Sequence, residues 1–139
     1  MTTRKREGDG GTPIAVMPMV DAYLRRDRKV SAQAIALPFR TTRPNDGWCD
    51  APAAPNYNRP VRLPQPYSAE RMAREDVIYD IVIVLDYNFG SRSRHRGSAI
   101  FLHVARPGFE PTEGCIAVRK RDLQRILPHL LLGRRIIVQ

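Results

Sequence analysis

Apolar residues along this chain fall into short clusters separated by polar, proline- and glycine-rich stretches. The densest cluster, Val77 to Leu85, is β-branched and nearly continuous, which predicts a strand. Ser98 to Val104 predicts the next strand, ending at His103 and Val104. Ile116-Ala117-Val118 and Arg135-Ile136-Ile137-Val138 predict two more. Weaker apolar segments at Ile14 to Met19 and Val30 to Leu37, punctuated by Pro18 and Pro38, predict short early strands. Helical spacing occurs near the C-terminal end, where Leu123, Ile126, Leu127, Leu130 and Leu131 form one stripe behind Asp122 as cap. Pro128 is expected to kink or shorten that helix, and Gly133 to stop it. A shorter helix is expected at Ser68 to Met72, opened by Ser68. Thr41 to Pro66 is rich in Pro, Asn and Asp and reads mostly as loop, although Trp48 and Tyr57 argue that it is ordered. The sum is a mainly β single domain over 1–139, with long loops and one definite helix.

Composition narrows the class. The 139 residues are 42% hydrophobic, enough for one globular core. The formal net charge of +9 is nearly all arginine, because Lys5, Lys29 and Lys120 are the only lysines. Such a surface favours anionic partners, or is simply a solvated face. No basic run is interleaved with aromatics, so nucleic acid is not expected as a partner. The apolar run at Val77 is too short to span a bilayer and carries Asp80, so no stable membrane insertion is expected. Met1 to Asp9 is polar with no apolar region behind it, and no signal peptide is recognised. Residues 1–10 read as a flexible tail. Cys49 and Cys115 form no CxxC pair, and with three scattered histidines there is no metal-ligand spacing. Both thiols are expected to be free.

The chemistry concentrates at Thr112-Glu113-Gly114-Cys115, reached from His103 through the loop Arg106-Pro107-Gly108-Phe109-Glu110-Pro111. A thiol directly after glycine can attack a carbonyl while backbone N–H groups of the same turn hold the oxyanion. A histidine at the end of an apolar strand can take the thiol proton. Cys115 and His103 are therefore the candidate catalytic pair, with Gly114 and Thr112 as oxyanion and supporting residues. Trp48, Tyr57 and Asn58 are candidates for one wall of a substrate groove, although Trp48 reads more readily as an aromatic plug sealing the sheet beneath the long loop.

This arrangement resembles the signature of the L,D-transpeptidase (YkuD-type) catalytic domain, in which a histidine precedes a Ser/Thr-x-Gly-Cys element. The strings Asp46-Gly47-Trp48-Cys49-Asp50 and Tyr57-Asn58-Arg59-Pro60-Val61 resemble a compact subgroup of that family and extend the similarity from Gly8 to the end. The resemblance implies a β-sandwich or open barrel. It also implies a cysteine acyltransferase that acts on peptidoglycan stem peptides through a thioester, without a cofactor, in the periplasm or cell envelope. Two alternatives stay open: an L,D-carboxypeptidase or amidase that resolves the same thioester with water, and a non-catalytic wall-binding module. Gly10-Gly11-Thr12-Pro13 is similar to an element that follows the family's first strands, which implies that an N-terminal strand is missing here. Three positions depart from the pattern: Val104 follows the histidine where glycine is typical, Glu113 replaces His or Lys, and Ala117 replaces Arg or Asn.

Overall fold

A computed structural model describes residues 1–31 and 35–139. In chain order the strands are β1 (Val16–Leu24), β2 (Phe39–Thr41), β3 (Asp46–Cys49), β4 (Pro60–Arg62), β5 (Ala69–Arg71), β6 (Ile81–Leu85), β7 (Phe101–Val104), β8 (Ile116–Val118) and β9 (Arg135–Ile137), with one helix, α1 (Lys120–Ile126). The main sheet runs β2-β1-β6-β7-β8, and β9 pairs with the first part of β1. β1–β6 and β6–β7 are antiparallel, whereas β1–β2 and β7–β8 are parallel. A second sheet, β4-β3-β5, is antiparallel throughout. The mainly β expectation holds.

Alternation along β6 divides the interior in two. Ile81, Ile83 and Leu85 face a core that includes Met17, Leu24, Leu102, Val104, Leu123 of α1, and Leu127 and Leu130 just after it. Val82 and Val84 face the other side, with Tyr23, Phe101, Trp48, Met72, Ile78 and Tyr79. Every residue of β6 is buried, which explains why it is continuously apolar rather than alternating. The small sheet covers the second face, where Trp48 meets Phe101 edge-on at 5.0 Å between ring centroids.

Several expectations are corrected. Ser68 to Met72 is not a helix: Ala69–Arg71 is β5 and pairs with Gly47, Trp48 and Cys49. Pairing satisfies the backbone of a segment too short to hold an isolated helix. Thr41 to Pro66 is not mostly loop, because it supplies β3 and β4 of the second sheet. The early strand extends to Leu24 instead of stopping at Met19. Of the strand expected at Val30 to Leu37, residues 32–34 lie outside the described residues, and no strand is present at 30–31 or 35–37. α1 begins at Lys120, so Asp122 lies inside its first turn rather than capping it, where its charge suits the positive helix end. At Pro128 the chain tightens into a 3-10 turn, Leu127–His129, as expected where an N–H is missing. The buried stripe is narrower than predicted, since Ile126 and Leu131 are 39% and 41% exposed.

The first residues are not loosely packed either. Thr2 bridges Pro13, Ile14 N–H donates to Thr2 O at 2.8 Å, and Lys5 is only 4% exposed. No helix among the described residues is long and apolar enough to cross a membrane.

Val77 to Asp80 form a turn ahead of β6, closed by Asp80 N–H to Val77 O at 3.0 Å. The Asp80 carboxylate is buried and accepts from Arg28 Nη1 at 3.0 Å and Lys120 Nζ at 2.7 Å. It ties the end of β1 to the start of α1. Asp80→Ala is expected to cost about 2 kcal/mol, since both cations are half-exposed and recover water. Urea denaturation of the variant measures this, and an unchanged midpoint would remove Asp80 from the stabilising contacts.

Candidate active site

β7 and β8 carry the chemistry. They run parallel with Leu102 opposite Ile116 and His103 opposite Ala117. One step back along the same register, Cys115 lies beside Phe101, and its Sγ accepts from Phe101 N–H at 3.4 Å. Side chains two apart share a face, so Cys115 and His103 are diagonal neighbours on the same face of adjacent strands. Both line one cleft of about 400 Å³, together with Glu70, Arg74, Tyr79, Arg106, Thr112 and Glu113.

The turn before Cys115 requires glycine. Gly114 has φ +118°, and a Cβ there would meet Gly11 O at 3.0 Å and Lys5 Nζ at 3.2 Å. Thr112 braces the turn from the other side, its hydroxyl donating to Cys115 O at 2.6 Å. The hydroxyl of Thr12 reaches the same carbonyl at 3.5 Å. The Gly10–Pro13 element therefore packs beneath the Cys115 turn. Among the described residues, the N–H groups of Gly114 and Cys115 meet no backbone or side-chain acceptor.

The Cys115 thiol donates to Ala99 O at 3.1 Å. Ala99 is itself held, because its N–H donates to Asn58 Oδ1 at 3.1 Å, and the same oxygen accepts from Trp48 Nε1 at 2.9 Å. Asn58 Nδ2 donates to Tyr87 O at 3.3 Å. Ala99 lies at φ +53°, a strained position for a residue with a Cβ.

The expected groove wall is corrected here. Trp48, Tyr57 and Asn58 are 2%, 3% and 2% exposed, and none of them lines the cleft. Their polar atoms are spent internally, with Tyr57 donating its hydroxyl to Glu7. Asn58, braced by Trp48, clamps the Ala99 peptide that receives the thiol, and Tyr57 anchors the N-terminal segment through Glu7.

Burial dominates the electrostatics. It pushes the Cys115 thiol up to about 12, with the Glu70 carboxylate adding to the effect and Lys5 opposing it. It also holds the His103 imidazole below its ordinary range, with Arg106 and Arg74 acting in the same direction. The two groups rest as neutral thiol and neutral imidazole. His103 Nδ1 lies 2.8 Å from Val104 O. A carbonyl can only accept, so Nδ1 carries the proton and Nε2 keeps its lone pair.

Sequence reading missed three neighbours of this pair. Tyr79 packs edge-on to His103 at 5.4 Å and donates its hydroxyl to Glu70 at 2.6 Å. Burial raises the Glu70 pKa against that bond, and Asp50 adds to the rise. Lys5, paired with Asp9, places an ammonium behind Gly114. Glu70 was hidden by the helix expected at Ser68, and Lys5 by the flexible tail; nothing in the local pattern marked Tyr79. Among the described residues no three His, Cys, Asp or Glu side chains come together as a metal site.

Residues 2–138 match the YkuD model, the L,D-transpeptidase catalytic domain. The chain belongs to that family, a family of enzymes that act on peptidoglycan. Searches of curated proteins and of solved structures gave no match.

Proposed function

We propose that the chain is a cysteine-dependent L,D-transpeptidase that acts on peptidoglycan stem peptides through a thioester. The observation that carries this reading is the placement of Cys115 and His103 on one face of β7 and β8, within one cleft, with His103 Nδ1 committed to Val104 O. Cys115 Sγ would attack the carbonyl of the diamino acid at position three while His103 Nε2 takes the thiol proton. The N–H groups of Gly114 and Cys115 would hold the oxyanion. Collapse of the tetrahedral intermediate would break the C–N bond, with His103 returning the proton to the leaving amine of D-alanine. An incoming amine would then displace the thiol and form the cross-link. Water in its place would trim the stem, and a product assay with and without an acceptor amine separates the two outcomes. Family membership over residues 2–138 supports the class.

Intact mass after incubation with a carbapenem tests it. A single covalent adduct on Cys115 is expected, and no adduct at any pH would overturn the thioester mechanism.

The pH profile has a defined sign. Burial keeps His103 neutral across neutral pH, so acylation should be flat there and fall only below the ordinary imidazole value of about 6.5. Stability should follow. Below about 6.5 the unfolded chain binds a proton at His103 more readily than the folded chain, so stability drops as pH falls. Above the ordinary thiol value of about 8.5, the unfolded chain releases the Cys115 proton first, so stability drops as pH rises toward about 12. An acylation rate that climbs steadily with pH and shows no imidazole limb would remove His103 as the base.

A further inference from the structure

The connection between β6 and β7 holds a dense basic run: Arg92, Arg94, His95 and Arg96, all exposed. It is built as a rigid turn. Asn88 Oδ1 accepts from Ser93 N–H at 2.7 Å and from the Ser91 hydroxyl at 2.8 Å, while its Nδ2 donates to Ser93 O at 2.8 Å and Gly97 O at 2.9 Å. Arg92 and His95 are held at φ +47° and +63°, conformations that are strained for residues with a Cβ. The N-terminal segment brings Arg4 and Arg6 alongside, through Glu7 N–H to His95 O at 3.0 Å. Arg4, Arg6, His95 and Arg96 line one shallow depression. Arg25, Arg28, Arg40, Arg62 and Arg74 are ion-paired elsewhere on the molecule. Among the described residues, no carboxylate forms a salt bridge with any of the six side chains of this patch.

The patch adjoins the cleft. Glu7, whose backbone joins the two cationic segments, also lines the cleft with Gly8 and Ser98, and its carboxylate accepts from Tyr57 and from Ser98 Oγ at 3.1 Å. Guanidinium forks match carboxylates in a bidentate fashion. None of the six residues is Phe, Tyr or Trp, so the patch lacks the broad stacking surface that single-stranded nucleic acid would use.

We propose that Arg4, Arg6, Arg92, Arg94, His95 and Arg96 form an exosite for polymeric peptidoglycan, gripping carboxylates of stems that neighbour the one in the cleft. This rests on the catalytic reading above for the identity of the polymer. Holding a second part of the same molecule raises the effective concentration of stems at Cys115, so the enzyme would prefer insoluble sacculi to soluble fragments.

The test is co-sedimentation with purified sacculi, using the full chain. A triple variant, Arg92→Gln with Arg94→Gln and Arg96→Gln, should bind sacculi about tenfold more weakly and lose most of the salt dependence. Its carbapenem adduct should form within about twofold of the unsubstituted rate, because no group in contact with Cys115 changes. Arg4→Gln with Arg6→Gln, on a separate segment, should shift binding in the same direction, so a misfolded loop does not decide the result. Unchanged sacculus binding in both variants overturns the proposal. So does tighter binding of the unsubstituted chain to a duplex DNA probe than to sacculi at equal salt. Arginine-dependent sacculus binding without any carbapenem adduct would keep the patch and reject the thioester mechanism instead.

Discussion

Cys115→Ser is expected to abolish the carbapenem adduct and to lower stem-peptide turnover by at least about 10⁴-fold, as loss of an enzyme's nucleophile does. The serine hydroxyl would still reach Ala99 O, where the thiol donates at 3.1 Å, so the fold should survive. A hydroxyl is far harder to deprotonate than a thiol, and His103 is a weak base because burial holds its pKa down. Cys49→Ser is the matched control. Cys49 is fully buried at the end of β3 in the second sheet, with its N–H bonded to Arg59 O at 2.9 Å. That change should cost stability but leave the adduct intact. His103→Ala should lower turnover by about 10²–10⁴-fold, the usual contribution of a positioned base. Mass spectrometry and initial rates on the three variants read these outcomes. An adduct that persists in Cys115→Ser and vanishes in Cys49→Ser would transfer the nucleophile to the wrong side of the second sheet.

The largest expected effect on stability belongs to Asn58. Asn58→Ala strands the Trp48 indole N–H, the Ala99 N–H and the Tyr87 carbonyl, all of which bond to this side chain. Buried orphans of this kind cost about 1–3 kcal/mol each, and Asn58 also tolerates its φ of +54° better than alanine does. We expect a loss of about 3–5 kcal/mol, which for a domain of this size lowers the thermal midpoint by about 10–20 °C. The carbapenem reaction should slow as well, because the Ala99 peptide that receives the thiol is released from its clamp. Trp48→Phe keeps the ring and removes only one donor, so it should cost far less. A wild-type midpoint in Asn58→Ala, with only KM raised, would restore Asn58 as a substrate contact.

The departures from the family pattern acquire physical content in the fold. Ala117 lies directly opposite His103, so it presents no polar group at the place where Arg or Asn is usual. The cleft has cations from elsewhere: Arg106, whose only ion pair among the described residues is a 3.7 Å contact to exposed Glu110, and Arg74, already paired at 2.7 Å with Asp76. Glu113 is exposed at the rim of the cleft, and Val104 points into the core beneath α1. Neither stands between Cys115 and His103.

What the sequence determined by itself is what local physics encodes. Strand character at Ile81–Leu85, Phe101–Val104 and Ile116–Val118 follows from β-branched and aromatic runs that no helix would favour. The Cys115 turn follows from a glycine whose φ of +118° no other residue adopts cheaply. The helix near the C-terminal end and its tightening at Pro128 follow from 3.6-residue spacing and a missing N–H. Tertiary structure alone decided the rest. Ala69–Arg71 is a strand because β3 offers a partner, and a three-residue segment takes whatever hydrogen bonds its neighbours supply. Trp48, Tyr57 and Asn58 are interior because the second sheet and its loops pack against the first sheet, and contact between distant segments leaves no trace in local pattern. The charged N-terminal residues are packed because Lys5 finds Asp9 and Glu7 finds Tyr57 and Ser98. Composition marks such residues as solvated, and only the specific partner that each one meets in the fold reverses that expectation.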